Sequence, residues 1–306
     1  MRQTDCSSKT KNRVFNMSNV KLSIIIVSYN NLNVLLDCLN SVEKMNDISD
    51  QQEVIVVEQS PSDEIYTYLK KNMPQIQTIR AENKGFGAGN NRGVEIAQGE
   101  YLLFLNPDTV LVEPIAGFAL DVFGRNPKIG LFGVGLLDGE KNKNSSFECL
   151  IPYGLKSKIT YSFCYKFDRF LKNKMYIQGA DMFVRADLFR KAGSFDENVF
   201  MYYEEPDLCL RVRREGYEIA FFKEKKIIHL QGACSPDGYD KTFSEQLKSF
   251  RYFCQKFSLP FEKILRREAR YQNFKMSALK LCGKKNLDGY SIAESKQTVI
   301  SGLLEK

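Results

Sequence analysis

Short, strongly apolar segments that alternate with amphipathic helical segments constrain the fold of this chain more than any other feature. The segment Leu22–Ser28 (LSIIIVS) is β-branched and almost continuously apolar, which is typical of a strand buried on both faces of a parallel sheet. In residues 31–44, Leu35, Leu39 and Val42 fall on one side of a helix. A buried strand followed by an amphipathic helix is the beginning of an α/β fold.

The same alternation continues toward the middle of the chain. Residues 53–58, 76–80 and 101–105 have the composition of strands, and residues 63–73 have that of a helix. This order predicts a Rossmann-like layer with a mostly parallel sheet, helices on both faces, and ligands beyond the carboxyl ends of the strands. The chain has 306 residues, 43% of them hydrophobic, enough for one large domain or one domain with an appendage.

Composition along the chain predicts three regions. Residues 1–20 are polar and mixed in charge, as in a flexible tail. Residues 21–240 form the α/β domain, with a nucleotide-binding half at about 21–113 and an acceptor half at about 114–240. Residues 241–306 are predicted to form a basic helical C-terminal extension, because Lys and Arg there outnumber Asp and Glu by about two to one.

Two segments lie outside the regular alternation. Residues 152–174 are polar and aromatic without clean periodicity, which suits an acceptor-facing insertion. In the extension, apolar residues such as Leu247, Phe250 and Phe253 recur at helical spacing. These basic helices either contact an anionic membrane or pack on the α/β domain, and both interpretations stay open at this point. Nucleic acid is not an expected partner, because no recognised binding motif accompanies the charge.

Composition also excludes several classes of protein. Neither a secretory signal nor an apolar run of the roughly 18 residues needed to span a membrane is apparent, so the expected location is the cytoplasm. The eight cysteines are scattered and are expected to be free thiols in a reducing compartment. His229 is the only histidine, which excludes a zinc site with several His ligands. No GxSxG motif supports a hydrolase of the Ser-His-Asp type.

Polar residues follow each of the predicted strands. They are Ser28-Tyr29-Asn30, Glu58-Gln59-Ser60, Glu82-Asn83-Lys84-Gly85 and Asn106-Pro107-Asp108. Any one of these could be an ordinary polar turn. Four such groups converging on one edge of a sheet favour a nucleotide-binding crevice.

Two of these strand ends have more specific chemistry. Asp108 after a Pro turn is either the cap of a following helix or a ligand for Mg²⁺ or Mn²⁺, which prefer one or two carboxylates together with phosphate oxygens. The glycine-rich residues 84–93 fit neither GxGxxG nor the P-loop motif. They permit close backbone approach to a ligand, or else form a flexible turn before a helix.

Acidic and aromatic residues cluster in residues 193–211. Glu204, Glu205 and Asp207 are predicted to lie in the first turn of a helix. One interpretation is that they only favour the helix dipole. The other is that one carboxylate lies in an aromatic-lined cleft and acts as a general base.

Taken together, the motifs of residues 22–235 resemble glycosyltransferase family 2, in particular its rhamnosyltransferase-like branch. The motifs that carry the resemblance are, in order, SIIIVSYN, VIVVEQS, NKGFGAGNNRG, YLLFLNPD, QGADMFVR, GSFDENVFMYYEEPDLCLR and IHLQG. The resemblance implies a GT-A fold, a divalent cation (Mg²⁺ or Mn²⁺) and single-displacement inversion at the anomeric carbon of a sugar.

The resemblance also assigns roles by position. The implied donor-binding residues are Ser28, Tyr29, Asn30, Glu58, Asn83, Gly85, Gly179 and Ala180. Glu58 stands where the family usually has an Asp that contacts the base and ribose. Asp108 matches the metal-facing last carboxylate of the DxD-like motif, whose first Asp is replaced by Asn106.

Glu205 occupies the position of the catalytic base, which is usually the Asp of an ED pair. The side chain of Glu is longer by one methylene, so the backbone or the acceptor must compensate. His229 matches the family's His that joins the metal or the leaving diphosphate. A lone His at a strand end is otherwise a common structural hydrogen-bonding residue, and the residues alone do not decide between these roles.

The implied activity is transfer of a sugar from a nucleotide-sugar donor to a saccharide or lipid-linked saccharide in bacterial surface polysaccharide synthesis. L-rhamnose from dTDP-rhamnose is the leading donor, with other hexoses from UDP or dTDP donors also open. The alternatives are a sugar-nucleotide-binding protein without catalysis and a nucleotidyltransferase. A nucleotidyltransferase should have a Gly-rich basic loop straight after the first strand, where this chain has SYNNLNV.

Overall fold

Ten strands and ten α-helices make up the part of the chain that the computed structural model describes, residues 19–230, 239–284 and 288–305. The strands are β1 (Leu22–Ser28), β2 (Gln52–Glu58), β3 (Gln77–Arg80), β4 (Tyr101–Leu105), β5 (Thr109–Leu111), β6 (Ile129–Leu137), β7 (Phe147–Cys149), β8 (Met175–Ile177), β9 (Asp181–Arg185) and β10 (Glu218–His229). The helices are α1 (Leu32–Lys44), α2 (Glu64–Asn72), α3 (Phe86–Ile96), α4 (Ala116–Arg125), α5 (Leu155–Lys166), α6 (Ala186–Lys191), α7 (Glu204–Arg214), α8 (Tyr239–Lys256), α9 (Phe261–Leu281) and α10 (Asp288–Leu304).

Eight of the strands form one sheet in the order β3-β2-β1-β4-β9-β6-β10-β5, and β7 pairs with β8 in a separate antiparallel ribbon. The sheet is mostly parallel, whereas β9 runs antiparallel to both neighbours and β5 antiparallel to β10. Pairing of β1 with β2 sets Ser28 directly beside Glu58. The register therefore brings two predicted donor-binding residues to the same edge of the sheet.

Burial on both faces of the sheet explains the apolar strands. Ile24 and Ile26 of β1 pack into a core with α1, α2 and α4, whereas Ile25 and Val27 pack into a second core with α3, α6 and α7. Because successive side chains of a strand point to opposite faces, both sets of positions must be apolar. The predicted α/β class, with helices on both faces, is confirmed.

Glycines of α3 bring this helix close to the sheet. A Cβ atom at Gly93 would lie 2.4 Å from Ile25 Cγ2, and one at Gly89 would lie 2.9 Å from Val27 Cγ1. Much of the glycine-rich motif therefore serves helix-to-strand packing. Gly85 differs, because its φ is +102° and a Cβ there would lie 1.9 Å from the carbonyl oxygen of Phe200.

Long-range pairing in the second half of the chain was not apparent in the sequence. The antiparallel strand β9 lies between β4 and β6, so one sheet spans the predicted nucleotide-binding and acceptor halves. Residues 152–174 contain helix α5. The proposed tail of residues 1–20 lies outside the described residues except for its last two, and the end of the IHLQG motif does so as well.

The C-terminal extension is helical, as predicted, and α8 begins at Tyr239. The apolar side of α8, including Leu247, Phe250 and Phe253, is buried in a third core with α9 and α10. Tyr203, which directly precedes α7, belongs to this core too. The extension thus packs on the α/β domain through this apolar side. Among the described helices, none has the length and apolar character required to cross a bilayer.

Close packing of α3 on β1 yields a stability prediction with a matched control. Gly93→Ala places a methyl group against Ile25 and should destabilise the protein by about 1–3 kcal/mol. Gly124→Ala, also in a helix, meets nothing within 4 Å and should stabilise it by about 0.5–1 kcal/mol. Urea unfolding measures both values. Equal effects of the two substitutions would contradict close packing at Gly93.

Candidate active site

Turns at the carboxyl ends of β1 and β2 are tied to each other. The backbone N–H of Gln59 donates to the Ser28 carbonyl at 2.9 Å, and the N–H of Asn30 donates to Ser60 Oγ at 2.7 Å. Asn30 has a φ of 55°, in the left-handed region, which Asn tolerates better than most residues. These bonds fix the edge at which the predicted donor-binding residues lie.

A cavity of about 530 Å³ opens at this edge. Its lining residues are Tyr29, Gln59, Ser60, Pro61, Arg80, Ala81, Glu82 and Asn83. Tyr29 and Asn83 were among the predicted donor-binding residues. Ser60 and Arg80 were not, because a Ser in a turn and an Arg at a strand end carry no distinctive signal in a sequence.

Glu58 lies beneath this cavity and is completely buried. One carboxylate oxygen, Oε1, accepts a hydrogen bond from the N–H of Ser60 at 2.6 Å. The other oxygen and the hydroxyl of Ser28 are buried without a partner among the described residues. In this structure, the Glu58 carboxylate stabilises the turn that lines the cavity.

Asp108 and His229 lie together at the adjacent strand ends. Antiparallel pairing of β5 with β10 sets His229 opposite Thr109, and His229 Nε2 is 3.2 Å from Asp108 Oδ1. The amide nitrogen of Asn106 is 3.4 Å from the same Nε2 atom. Asp108 is only 6% exposed. Residues 121 positions apart in sequence thus form one polar group, as the motif resemblance implied.

This pair fits a divalent cation that takes its remaining ligands from phosphate and water. His229 presents Nε2 to Asp108 Oδ1, so this nitrogen and a carboxylate oxygen would be the protein ligands. Mg²⁺ typically binds one or two carboxylates plus substrate phosphates, and carboxylate and water ligands suit Mn²⁺ as well. Within the described ranges, no group of three or more His, Cys, Asp and Glu side chains is arranged to hold a metal. Two protein ligands are therefore what this site offers.

Glu205 contacts Gly179, the first of the two small residues that precede β9. The N–H of Gly179 donates to Glu205 Oε1 at 3.1 Å, and a Cβ atom at position 179 would lie 2.7 Å from that oxygen. Only glycine leaves room for this contact. The carbonyl oxygen of Ala180 accepts the N–H of Asn106 at 3.1 Å, so the Gly179-Ala180 pair joins the Glu205 carboxylate to the Asp108 turn.

Glu204 and Glu205 form a pair of adjacent carboxyl groups at the first turn of α7. Burial raises the pKa of Glu205, although the N–H groups of Glu205 and Gly179 counteract it. Burial and then repulsion from Glu205 raise the pKa of Glu204 well above its usual range. Glu204 is 3% exposed, and its Oε2 has no partner among the described residues. The more deeply buried Glu204 therefore keeps its proton to higher pH, and Glu205 ionises first.

The turn before α7 has an unusual backbone. Tyr202 and Tyr203 have φ values of 69° and 71°, in the left-handed region that costs non-glycine residues roughly 1–2 kcal/mol each. Helix α8 holds this turn. The Tyr203 ring packs 5.0 Å from the ring of Phe250, and the hydroxyl of Ser249 donates to the Met201 carbonyl at 2.7 Å.

Charged residues tie α8 to α7 as well. Lys256 Nζ lies 2.6 Å from both Asp196 Oδ2 and Asp207 Oδ1, and Asp207 also pairs with Arg211 at 2.5 Å. Burial raises the pKa of Asp196, but hydrogen bonds led by the one from Lys256 outweigh it and hold this pKa well below the usual range. The acidic cluster of residues 193–211 is thus partly structural. Lys256 was missed in the sequence because nothing marks its partners 49 and 60 positions away.

Comparisons with known proteins show what this chain is similar to. Residues 23–146 match the family described as Glycosyl transferase family 2. Rhamnosyltransferase WbbL of Escherichia coli (strain K12) is 26% identical over 254 residues, which cover 76% of this chain and 92% of that protein. Low-salt glycan biosynthesis hexosyltransferase Agl10 of Haloferax volcanii is 27% identical over 221 residues, covering 69% of this chain and 67% of that protein.

Solved structures show the same fold. Mannosyltransferase PcManGT from Pyrobaculum calidifontis, in complex with GDP-Man and Mn²⁺, superimposes with a TM-score of 0.61 at 13% identity, covering 92% of this chain and 85% of that one. S. aureus TarS gives a TM-score of 0.51 at 16% identity, covering 75% of this chain and 39% of that one. The predicted resemblance to glycosyltransferase family 2 and the predicted GT-A fold class are both confirmed.

Two lysines of α8 provide a test of the contact between α8 and α7. Lys256→Met removes the cation shared by Asp196 and the buried Asp207 and should cost about 2 kcal/mol, less than the 3–5 kcal/mol of a fully buried pair. Lys248→Met removes only an exposed pair with Glu245 and should change stability by less than about 0.5 kcal/mol.

The pH dependence provides a second readout for Lys256→Met. The pKa of Asp196 is lowered in the folded protein from an ordinary value of 3.8. Its stabilising contribution is therefore present above pH 3.8 and is lost as the pH falls. The stability difference between Lys256→Met and wild type should shrink in that acidic range. Urea unfolding at neutral and acidic pH measures it, and a pH-independent difference would contradict the ion pair.

Proposed function

On the premise that residues 23–146 are a glycosyltransferase family 2 segment, we propose that this chain is an inverting, metal-dependent hexosyltransferase. It moves a sugar from a nucleotide-sugar donor to a hydroxyl of a saccharide or lipid-linked saccharide. The donor-binding residues proposed are Ser28, Tyr29, Asn30, Glu58, Asn83, Gly85, Gly179 and Ala180. Asp108 and His229 are proposed to hold the cation, and Glu205 to act as the catalytic base.

One observation carries the proposal, namely an uninterrupted series of contacts from the base to the metal pair. Glu205 accepts the N–H of Gly179, the adjacent Ala180 accepts the N–H of Asn106, and the Asn106 amide contacts His229. Four separate segments of the chain thus lie together here: Glu205 supplies a carboxylate, Gly179 and Ala180 are the small residues before β9, and Asp108 and His229 are the proposed ligands. Transfer of a sugar between a donor diphosphate and a hydroxyl needs these groups side by side.

The reaction proposed is a single displacement. The Glu205 carboxylate accepts the proton of the acceptor hydroxyl while the oxygen of this hydroxyl attacks the anomeric carbon. The new carbon–oxygen bond forms on the face opposite the diphosphate. The bond between the diphosphate and the anomeric carbon breaks, and the diphosphate leaves with the electron pair. Configuration therefore inverts. Burial raises the pKa of Glu205, which strengthens it as a base.

Asp108 and His229 act at the leaving group in this proposal. A divalent cation bound there supplies Lewis-acid stabilisation of the charge on the departing diphosphate. Asp108 would contribute a carboxylate oxygen and His229 its Nε2 atom, which lies 3.2 Å from Asp108 Oδ1 and 3.4 Å from the Asn106 amide nitrogen. The presence of GDP-Man and Mn²⁺ in the PcManGT structure supports this assignment.

The names of relatives support the substrate class. The match to a rhamnosyltransferase over 92% of its length favours L-rhamnose from dTDP-rhamnose as the donor, and the hexosyltransferase of low-salt glycan biosynthesis leaves other hexoses open. We place the reaction in bacterial surface polysaccharide synthesis. A cytoplasmic location of the active site remains a prediction.

The function is tested by incubating the full chain with a panel of sugar nucleotides, Mg²⁺ or Mn²⁺ and saccharide acceptors, and by detecting nucleoside diphosphate and product. With the best donor, Glu205→Gln should lower kcat by about 10²- to 10⁴-fold and leave donor binding unchanged in calorimetry. Glu294→Gln, an exposed change in α10, is the control and should be silent. Near wild-type transfer by Glu205→Gln would remove this residue from the role of base.

The pH profile identifies the same group independently. Because burial raises the pKa of Glu205 above its ordinary value of 4.5, kcat/KM should fall on the acid side with a midpoint above pH 4.5. Glu205→Gln should lack this acid limb in its residual activity. Anomeric NMR of the product tests inversion, and retained configuration would contradict the mechanism. A protein that binds donors but turns over none would instead be a sugar-nucleotide-binding protein.

The metal pair has a separate test that does not depend on turnover. Asp108→Asn should weaken Mn²⁺-dependent binding of a nucleoside diphosphate at least about tenfold, because it removes the one carboxylate ligand. Asp121→Asn, which alters an exposed carboxylate paired with Arg125 on α4, is the matched control. Isothermal titration with and without Mn²⁺ measures both variants. Equal Mn²⁺ dependence in wild type and Asp108→Asn would contradict the assignment.

A further inference from the structure

The outer side of helix α5 is apolar and exposed. Leu155, Ile159, Phe163 and the following Phe167 recur every four residues and are 48%, 61%, 51% and 57% exposed. Residues at this spacing lie on one side of a helix. They form a stripe of large hydrophobic side chains that nothing in the described part of the chain covers, which is the arrangement expected of a binding surface.

Positive charge surrounds this α5 stripe. Residues 150–174 contain six Lys and Arg residues and a single acid, Asp168, and that acid is paired with Lys143 at 2.6 Å. Lys156 and Lys166 are exposed between the apolar residues of the stripe. Lysines beside the exposed apolar side chains are attracted to the negative surface of an anionic membrane.

An arginine-rich cavity lies in the neighbouring helices α8 and α9. It has a volume of about 870 Å³, and its lining includes Arg251, Lys263, Arg266, Arg267 and Arg270, with Glu262 as the one acid. In the described residues, only Arg266 of these five cations has a carboxylate within salt-bridge distance, at 3.8 Å. Planar guanidinium groups without carboxylate partners are suited to binding phosphate.

The α5 stripe and the arginine-rich cavity are continuous. Gly154, which caps the start of α5, donates its N–H to Glu268 of α9 at 2.6 Å. A Cβ atom at Gly154 would lie 3.4 Å from the Cβ of Arg267. The first residue of the stripe, Leu155, therefore follows directly on a residue in contact with the wall of the cavity.

We propose that the α5 stripe and the arginine-rich cavity together form a docking surface for a bilayer that contains anionic phospholipids. The apolar side chains enter the interface between headgroups and acyl chains, while the arginines bind lipid phosphates. A symmetric contact with a second copy is disfavoured because it would set the lysines of one stripe against those of the other. A nucleic acid would leave the apolar stripe in water.

The β7–β8 ribbon connects helix α5 of this surface to α7, the helix that carries the proposed base. Helix α5 packs on β7, the partner strand β8 packs on α7, and α7 begins with the Glu204-Glu205 pair. A lipid-linked saccharide anchored in the docked bilayer would have its sugar end on the acceptor side of the site. The docking itself does not depend on the proposed function, since it is measured without turnover.

Vesicle flotation with the full chain tests the apolar part of the surface. The protein should float with phosphatidylcholine vesicles that contain phosphatidylglycerol and much less with phosphatidylcholine alone. Ile159→Ser combined with Phe163→Ser should weaken binding at least about tenfold, the effect of withholding one large apolar side chain from the interface. The control, Tyr68→Ser with Val112→Ser, changes two exposed apolar residues elsewhere and should bind as wild type.

Charge reversal tests the arginine-rich cavity. Lys263→Glu with Arg270→Glu should weaken binding to the anionic vesicles about 25-fold or more, since each surface cation contributes about fivefold. Lys70→Glu with Lys71→Glu, an equal change on α2, should have little effect. Raising salt from about 0.1 M to about 1 M should release the wild-type protein. Circular dichroism and unchanged donor binding establish that each variant is folded.

Three results would overturn the proposal. The first is wild-type protein that does not float with anionic vesicles, or that floats equally after either pair of substitutions. The second is a dimer in sedimentation velocity that becomes a monomer on Ile159→Ser with Phe163→Ser, without vesicle binding by the wild type. The third is binding of inorganic pyrophosphate that Lys263→Glu with Arg270→Glu abolishes, while anionic vesicles remain unbound.

Discussion

The proposed site depends on a strained turn that the chain cannot maintain locally. Tyr202 and Tyr203 both adopt left-handed backbone conformations, which together cost a few kcal/mol, and this turn determines where α7 begins. Packing of the Tyr203 ring against Phe250 and Phe253, at 5.0 and 5.2 Å, offsets this cost. Because aromatic pairs stabilise by about 0.5–1.5 kcal/mol each beyond burial, α8 is needed to keep the turn in place. Strain of this kind is commonly concentrated at functional sites.

This dependence changes how the C-terminal helices are understood. They follow the last motif of the family resemblance, yet Lys256 and Phe250 hold the residues on either side of the proposed base. Helices α9 and α10 pack with the same apolar side of α8 in the third core. The same helices supply the cavity next to α5. The extension thus connects the geometry of the base with the surface through which an acceptor on a membrane would be presented.

The sequence predicts those parts of the fold whose signals are local. Strands β1, β2 and β4 are buried on both faces, so their apolar runs are unambiguous, and the α1 stripe matches its burial. Strand β9 was not predicted as an antiparallel central strand, because its direction depends on partners far away in sequence. Asp108 and His229 came together as the motifs implied. The distinction between Glu205, which contacts Gly179, and Asp207, which pairs with Arg211 and Lys256, required the tertiary structure.

That distinction also explains how one carboxylate among several is left available. Asp207 is compensated by Arg211 and Lys256, and Asp196 shares the same lysine, so neither is free to take a proton from a substrate. No cation of the described residues forms an ion pair with Glu204 or Glu205, and burial raises the pKa of both. Mutual repulsion means that one of two adjacent buried carboxyl groups ionises before the other. The N–H groups at the start of α7 and at Gly179 favour the ionised form of Glu205. The negative charge is therefore on the Glu205 carboxylate, which contacts Gly179 just before β9.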